Sequence, residues 1–179
     1  CEIASTRDDP ALRTILETTL DDAMSAGLVL DAVLAESLAQ RNALWRLRES
    51  VPEAQRAEGA SIKHDVSVPI AALPAFMAAA ATAVLAIVPA GRMVTYGHVG
   101  DGNLHFNVSE PVGGDRASFV AKEPEIQAAV HAVVGRFRGS VSAEHGIGRL
   151  KRDALARHKS EVALETMRAI KRAIDPKGI

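Results

Sequence analysis

The chain has 179 residues, 47% of them hydrophobic and 3% aromatic, with 21 Lys and Arg against 22 Asp and Glu and a formal net charge of −1. That length fits one domain whose core is built from Ala, Val, Leu and Ile. Interspersed, balanced charge excludes the basic excess of a nucleic-acid binder. The lone cysteine, Cys1, excludes both a disulfide framework and a thiolate metal site.

In chain order, residues 9–26 carry apolar residues at helical spacing, with Pro10 early and Gly27 as the stop. Residues 28–35 alternate as a strand does. Residues 36–50 return to the helical period, with Arg41 and Arg48 along them, and end before Pro52. SIKHDVSVP, 61–69, sets Ile62, His64, Val66 and Val68 against Lys63, Asp65 and Ser67, the pattern of a half-buried strand. The Ala-rich stretch 71–87 is a helix. Its prolines and alanine content favour a buried helix over a membrane span.

MVTYGHVG and NLHFNVSE read as two strands around Asp101-Gly102. A polar break, a helix over 123–137, and a short strand entering the glycine-bearing GSVSAEHGIG follow. Helical segments over 149–156 and 160–173 then lead to Asp175-Pro176, where proline stops the helix. This order predicts an α+β fold, with helices on one face of a mainly antiparallel sheet. No charged-then-apolar leader opens the chain. It starts without Met and stops at Ile179, and reads as a piece of a longer protein.

The stretch GHVGDGNLHFNV concentrates the chemistry. Asp-Gly between alternating runs signals a two-residue type I′ hairpin. Such a turn would set His98 opposite His105 and Tyr96 opposite Asn107, with Val99, Leu104, Phe106 and Val108 packing on the other face. Opposed residues have Cβ atoms about 4.5–5.5 Å apart, so two imidazoles there can reach one metal ion. A solvated hairpin with hydrogen-bonded histidines is the alternative. SVSAEHGIG adds Glu144 and His145 at the end of a strand. Two histidines and a carboxylate form a ligand set for zinc, manganese or iron, and a neighbouring histidine can accept a substrate proton. Gly97, Gly100 and Gly102 do not make a dinucleotide fingerprint, because a strand follows them and not a helix.

GHVGDGNLHFNV, SAEHGIGRLKRD and MRAIKRAIDPKGI closely resemble the C-terminal domain of FAD-linked oxidases. That group, of the vanillyl-alcohol-oxidase type of flavoprotein, includes glycolate oxidase, D-lactate dehydrogenases and D-2-hydroxyglutarate dehydrogenase. WRLRESVPEAQ and SIKHDVSVP extend the resemblance over nearly the whole chain. It implies a ferredoxin-like α+β substrate domain spanning 1–179, with FAD held mainly by an N-terminal domain absent here. It also implies a divalent metal (Zn²⁺, Mn²⁺ or Fe²⁺) on His98, His105 and Glu144, and His145 as the catalytic base. Arg48, Lys63 and Asn107 match substrate-contacting positions.

The implied reaction is oxidation of a 2-hydroxy acid to a 2-oxo acid by hydride transfer to FAD. Pro52 stands near a position where the hydroxyglutarate enzymes place a hydroxyl, which turns the expectation toward the lactate or glycolate class. The resemblance also implies a further short segment after DPKGI. The expected partners are the small substrate and the flavin domain, with no nucleic acid, no transmembrane segment and self-association left open. The expected location is cytoplasmic, or membrane-peripheral through partners. By itself the chain should be redox-inactive. The alternative reading is a stand-alone metal- or carboxylate-binding module without redox chemistry.

Overall fold

In a computed structural model, residues 1–149 and 151–178 are described. Their contacts divide into two units, Cys1–Val51 and Pro52–Ile179. The first carries α1 (Ala11–Ser25) and α2 (Leu38–Glu49). α1 stops where expected, with Gly27 in the left-handed region at φ 69°. Ser37 caps α2 by accepting the Gln40 N–H. The strand expected over 28–35 is not formed: no strand among the described residues of this unit offers it a ladder, and Leu28 and Leu30 stand exposed. Arg13 bridges Glu17 and Glu36, an exposed ion-pair set of small energetic weight.

The second unit is the α+β part. α2 ends before Pro52 as expected, and a separate helix, α3 (Val51–Ala57), takes Pro52 into its first turn, where no backbone N–H is needed. The expected strand 61–69 appears as β1 (Ser61–Ile62) and β2 (Asp65–Ser67). Both pair antiparallel, in one continuous register, with the same edge of β4 (Asn103–Ser109), while β3 (Arg92–His98) pairs with its other edge. The interruption has a simple cause. Phe106 N–H donates to the His64 carbonyl at 3.0 Å, but the Phe106 carbonyl receives the His64 ring instead of a backbone donor, at 2.8 Å. A carbonyl only accepts, so Nδ1 carries the proton.

One face of this sheet is covered by α4 (Leu73–Ile87) and α6 (Glu123–Arg136), which pack on each other. The run Ile70–Ile87 is long and apolar enough to cross a membrane by composition alone. Here it buries a stripe of Leu73, Phe76, Ala80 and Val84 into the core. Ile126, Val130 and Val134 of α6 meet Val66, Phe106 and Val108 of the sheet in the same cluster. The polar break before α6 contains a further short helix, α5 (Arg116–Ala121), capped by the Asp115 carboxylate on the Ser118 N–H. α7 (Arg152–His158) and α8 (Glu161–Ile174) complete the unit. Leu150, within the helix expected over 149–156, lies outside the described residues.

Candidate metal centre

β4 supplies the first part of the site by alternation. Leu104, Phe106 and Val108 point into the core, so Asn103, His105, Asn107 and Ser109 share the opposite face. On β3 the residue opposite His105 is Tyr96, its ring 5.0 Å away and tilted by 42°. His98 faces Asn103 instead. The connection is not the expected two-residue turn. Val99–Asp101 form a 3₁₀ turn closed by Gly102 at φ 75°, which makes a four-residue loop and moves the register by two positions.

Local hydrogen bonds explain the longer turn. The Asp101 carboxylate accepts the Asn103 N–H at 3.0 Å, and Gly102 N–H donates to the Val99 carbonyl at 3.1 Å. Val68 N–H then ties the loop down through the Gly102 carbonyl. A two-residue shift preserves parity, so His98 keeps the His105 face but sits diagonal to it. Val99 is exposed and does not pack with Leu104.

A Cβ at Gly102 would lie 2.1 Å from the Val68 carbonyl oxygen, on a backbone that side chains disfavour. Gly102→Ala is therefore expected to cost about 2–4 kcal/mol in urea unfolding. An unchanged midpoint would show that the turn relaxes freely.

The second part of the site is the segment after α6. Ser67 and Ser140 form an antiparallel bridge, with N–H to carbonyl distances of 3.0 and 2.8 Å, and this lays 140–145 across β2 as a loop, where a strand end was expected. Glu144 and His145 thereby meet His105. His105 Nε2 is 3.0 Å from Glu144 Oε1, and His145 Nε2 is 3.7 Å from the same oxygen. The two imidazoles stack at 5.4 Å and 28°. One ligand atom from each of Asp65, His105, Glu144 and His145 lies within 4.8 Å of the others.

Two ligands on one tetrahedral zinc, each about 2.0–2.1 Å from it, stand roughly 3.3 Å apart. The His105–Glu144 separation is close to that, and a nitrogen–oxygen donor set suits Zn²⁺, Mn²⁺ or Fe²⁺. These residues fit a divalent cation. His98 is not among those drawn together.

A family model for the C-terminal domain of FAD-linked oxidases matches residues 1–179. The chain belongs to that family. It is 40% identical over 168 residues to D-2-hydroxyglutarate dehydrogenase of Xanthomonas citri pv. viticola, covering 94% of this chain and 35% of the relative. With D-2-hydroxyglutarate dehydrogenase of Stutzerimonas stutzeri it shares 35% identity over 178 residues, covering 99% of this chain and 38% of the relative. The mitochondrial D-2-hydroxyglutarate dehydrogenase of Danio rerio is 37% identical over 175 residues, with coverage of 98% and 31%. The chain thus spans about a third of the length of these relatives.

The remaining predicted residues of this FAD-linked oxidase domain lie in different settings. Arg48 is half-buried on α2, in the first unit. Lys63 is exposed at the break between β1 and β2. Asn107 is buried on the His105 face, and its amide donates to Gln55 Oε1 at 2.9 Å. Gln55, on α3, in turn reaches Ser109 Oγ at 3.4 Å. Nothing in the pattern VPEAQ distinguishes Gln55 from a surface residue.

Asp65 is the other residue that sequence reasoning missed. Alternation puts it on the polar side of its strand, yet it is only 4% exposed because the 140–145 loop covers it. Burial pushes its carboxyl pKa up, but the His145 and Glu144 N–H groups and nearby positive charge outweigh this and hold it below the ordinary value. Lys151 stands 3.9 Å away and donates to the Val141 carbonyl. Burial lowers its pKa against the opposing pull of Asp65.

On the core side, His64 and His131 are both buried, their rings 6.0 Å apart and perpendicular, and His158 meets His131 at 5.9 Å. His64 Nε2 has no hydrogen-bond partner among the described residues. Burial pushes the pKa of both His64 and His131 down to about 4.

Proposed function

We propose that this chain is the metal- and substrate-binding part of an FAD-dependent D-2-hydroxyacid dehydrogenase, which oxidises a 2-hydroxy acid to a 2-oxo acid. The observation that carries the reading is the meeting of His105, Glu144 and His145, from two distant segments, at metal-ligand spacing. In this reading His105 and Glu144 hold the divalent cation, and His98, on the same sheet face, is the third ligand. His145 takes the proton of the substrate hydroxyl as the Cα hydride departs. Its imidazole is 63% exposed, open to a ligand, while its backbone is fixed. Arg48, Lys63 and Asn107 hold the substrate's carboxylate and polar groups, the planar guanidinium being suited to a carboxylate. When bound, FAD supplies the hydride acceptor and the cation an electrophile for the hydroxyl oxygen.

The relatives, all D-2-hydroxyglutarate dehydrogenases by name, make D-2-hydroxyglutarate the first substrate to try. Pro52 keeps D-lactate and glycolate as necessary comparators. In the same proposal the flavin belongs to a further domain of the whole protein. The location is cytoplasmic or at a membrane surface through partners, although some relatives are mitochondrial.

Calorimetric titration of Zn²⁺ and Mn²⁺ into the chelator-treated chain tests this reading, with a His105→Ala/Glu144→Ala variant of confirmed fold alongside. One-to-one binding that disappears in the variant, and tightens with D-2-hydroxyglutarate or D-lactate, is expected. Equal binding by the two proteins would remove the cluster as the metal centre. Metal binding indifferent to every hydroxy acid would favour a module without this substrate class.

A further inference from the structure

Asp65 is one of the four groups whose donor atoms lie together, but its Oδ2 is already engaged by the loop. Oδ2 accepts the N–H of Ala143 at 3.2 Å, of Glu144 at 3.3 Å and of His145 at 2.9 Å, and lies 3.2 Å from the Ser142 hydroxyl. Oδ1 shares the Glu144 N–H at 3.3 Å. A carboxylate oxygen offers about two lone pairs, so Oδ2 has none to spare for a cation. Three successive peptide N–H groups converging on one anion form a concavity that sets the direction of each peptide.

The anchor is rigid. Asp65 sits on β2 directly opposite His105 of β4, so the residue that fixes the loop and the residue the loop must meet belong to one strand pair. Its carboxylate is sealed from water, where each of these charge-assisted hydrogen bonds is strongest.

We propose that Asp65 is a positioning residue of this centre and not a ligand. Its carboxylate holds the Ser142–His145 backbone so that the side chains of Glu144 and His145 project toward His105. The His145 ring also lies beside the anchor. Nδ1 lies 3.6 Å from Asp65 Oδ2, and Nε2 lies 3.7 Å from Glu144 Oε1. The metal half of this inference rests on the function proposed above; the loop half does not.

Two readouts on the full chain separate them. The first is hydrogen exchange of individual amides in the metal-free chain and its Asp65→Asn variant, which keeps the shape but removes the negative charge and one of the two acceptor oxygens. The Ala143, Glu144 and His145 amides are expected to lose at least tenfold protection, while those of Leu104–Val108 in β4 keep theirs. The second is Zn²⁺ titration, in which Asp65→Asn is expected to bind about 10–100-fold more weakly than the unmodified chain but not to lose the ion.

Ser142→Ala removes a hydroxyl that lies 3.2 Å from the carboxylate and 2.8 Å from the Gly146 carbonyl, so it loosens the same loop without altering Asp65. It should shift both readouts in the same direction by a smaller factor, which keeps the test open if Asp65→Asn does not fold. Unchanged protection of the three loop amides in either variant overturns the proposal. So does loss of Zn²⁺ in Asp65→Asn as complete as in Glu144→Ala, which would make Asp65 a ligand. Failure of the unmodified chain to bind Zn²⁺ would sink the metal centre, and the exchange result would still decide the role of Asp65.

Discussion

On the function proposed above, His145→Gln in the whole protein is expected to lower kcat by about 10²- to 10⁴-fold, the contribution a positioned general base makes, while leaving the cation bound. The reasons are geometric. His145 stands beside Glu144 and stacks on His105, so its ring borders the two residues that would hold the cation. Its backbone is tethered, whereas its ring is the exposed member of the group.

Glu144→Ala should behave differently. It removes the oxygen 3.0 Å from His105 Nε2 and is expected to abolish cation binding together with activity. Stopped-flow reduction of the flavin by D-2-hydroxyglutarate or D-lactate, with the bound metal measured in the same samples, distinguishes the two variants. A His145→Gln protein with kcat within threefold of the parent would remove its role as base. A His145→Gln protein that has lost its metal would place His145 among the ligands.

Acidification should begin to destabilise the chain from about pH 6.5, before ordinary carboxylates protonate. His64 and His131 are buried neutral, with pKa values of about 4 against an ordinary 6.5. Burial is the main cause for both, and Lys151, Arg157 and His158 add repulsion around His131. Since the folded pKa is depressed, the unfolded chain takes up protons that the folded chain refuses. Stability is therefore fully present above about pH 6.5 and is lost progressively as the pH falls toward 4.

For His64, the more deeply enclosed of the two, that shift corresponds to roughly 3 kcal/mol, a large part of a small domain's stability. Asp65 does not contribute in this window. Its pKa is held below the ordinary aspartate value, so its share is lost only at still lower pH. Urea unfolding at pH 7.5, 6, 5 and 4.5 should show a midpoint that falls steadily. His131→Leu should flatten that slope without changing Zn²⁺ affinity. A midpoint independent of pH between 7.5 and 4.5 would mean that these histidines are not held neutral.

Most of the elements, and half of the site, were legible in the residues. The alternation of Ile62, His64, Val66 and Val68 against Lys63, Asp65 and Ser67 marks a strand, and all four residues of the first set are buried. Leu104, Phe106 and Val108 mark the core face of β4, and so place His105 on the other. Helix boundaries at Gly27, Ser37 and Asp175 follow local backbone chemistry that needs no distant partner. Residues 28–35 show where this local reading stops. Alternation permits a strand, but a strand exists only where another lies beside it.

The hairpin register was a choice between turns that both accept Asp-Gly. The carboxylate of Asp101 on the Asn103 N–H and the hold of Val68 on Gly102 decided it. That choice moved Tyr96 into the place expected for His98. By itself the sequence determined the family, the antiparallel α+β character and the histidine- and glutamate-bearing motifs, because these depend on residue types and short spacings. Only the tertiary structure decided which donors meet. Asp65 and His145 are separated by 80 positions, and their contact depends on the Ser67–Ser140 bridge folding one segment over the other. No periodicity along the chain encodes that approach; burial and hydrogen bonding across the sheet do.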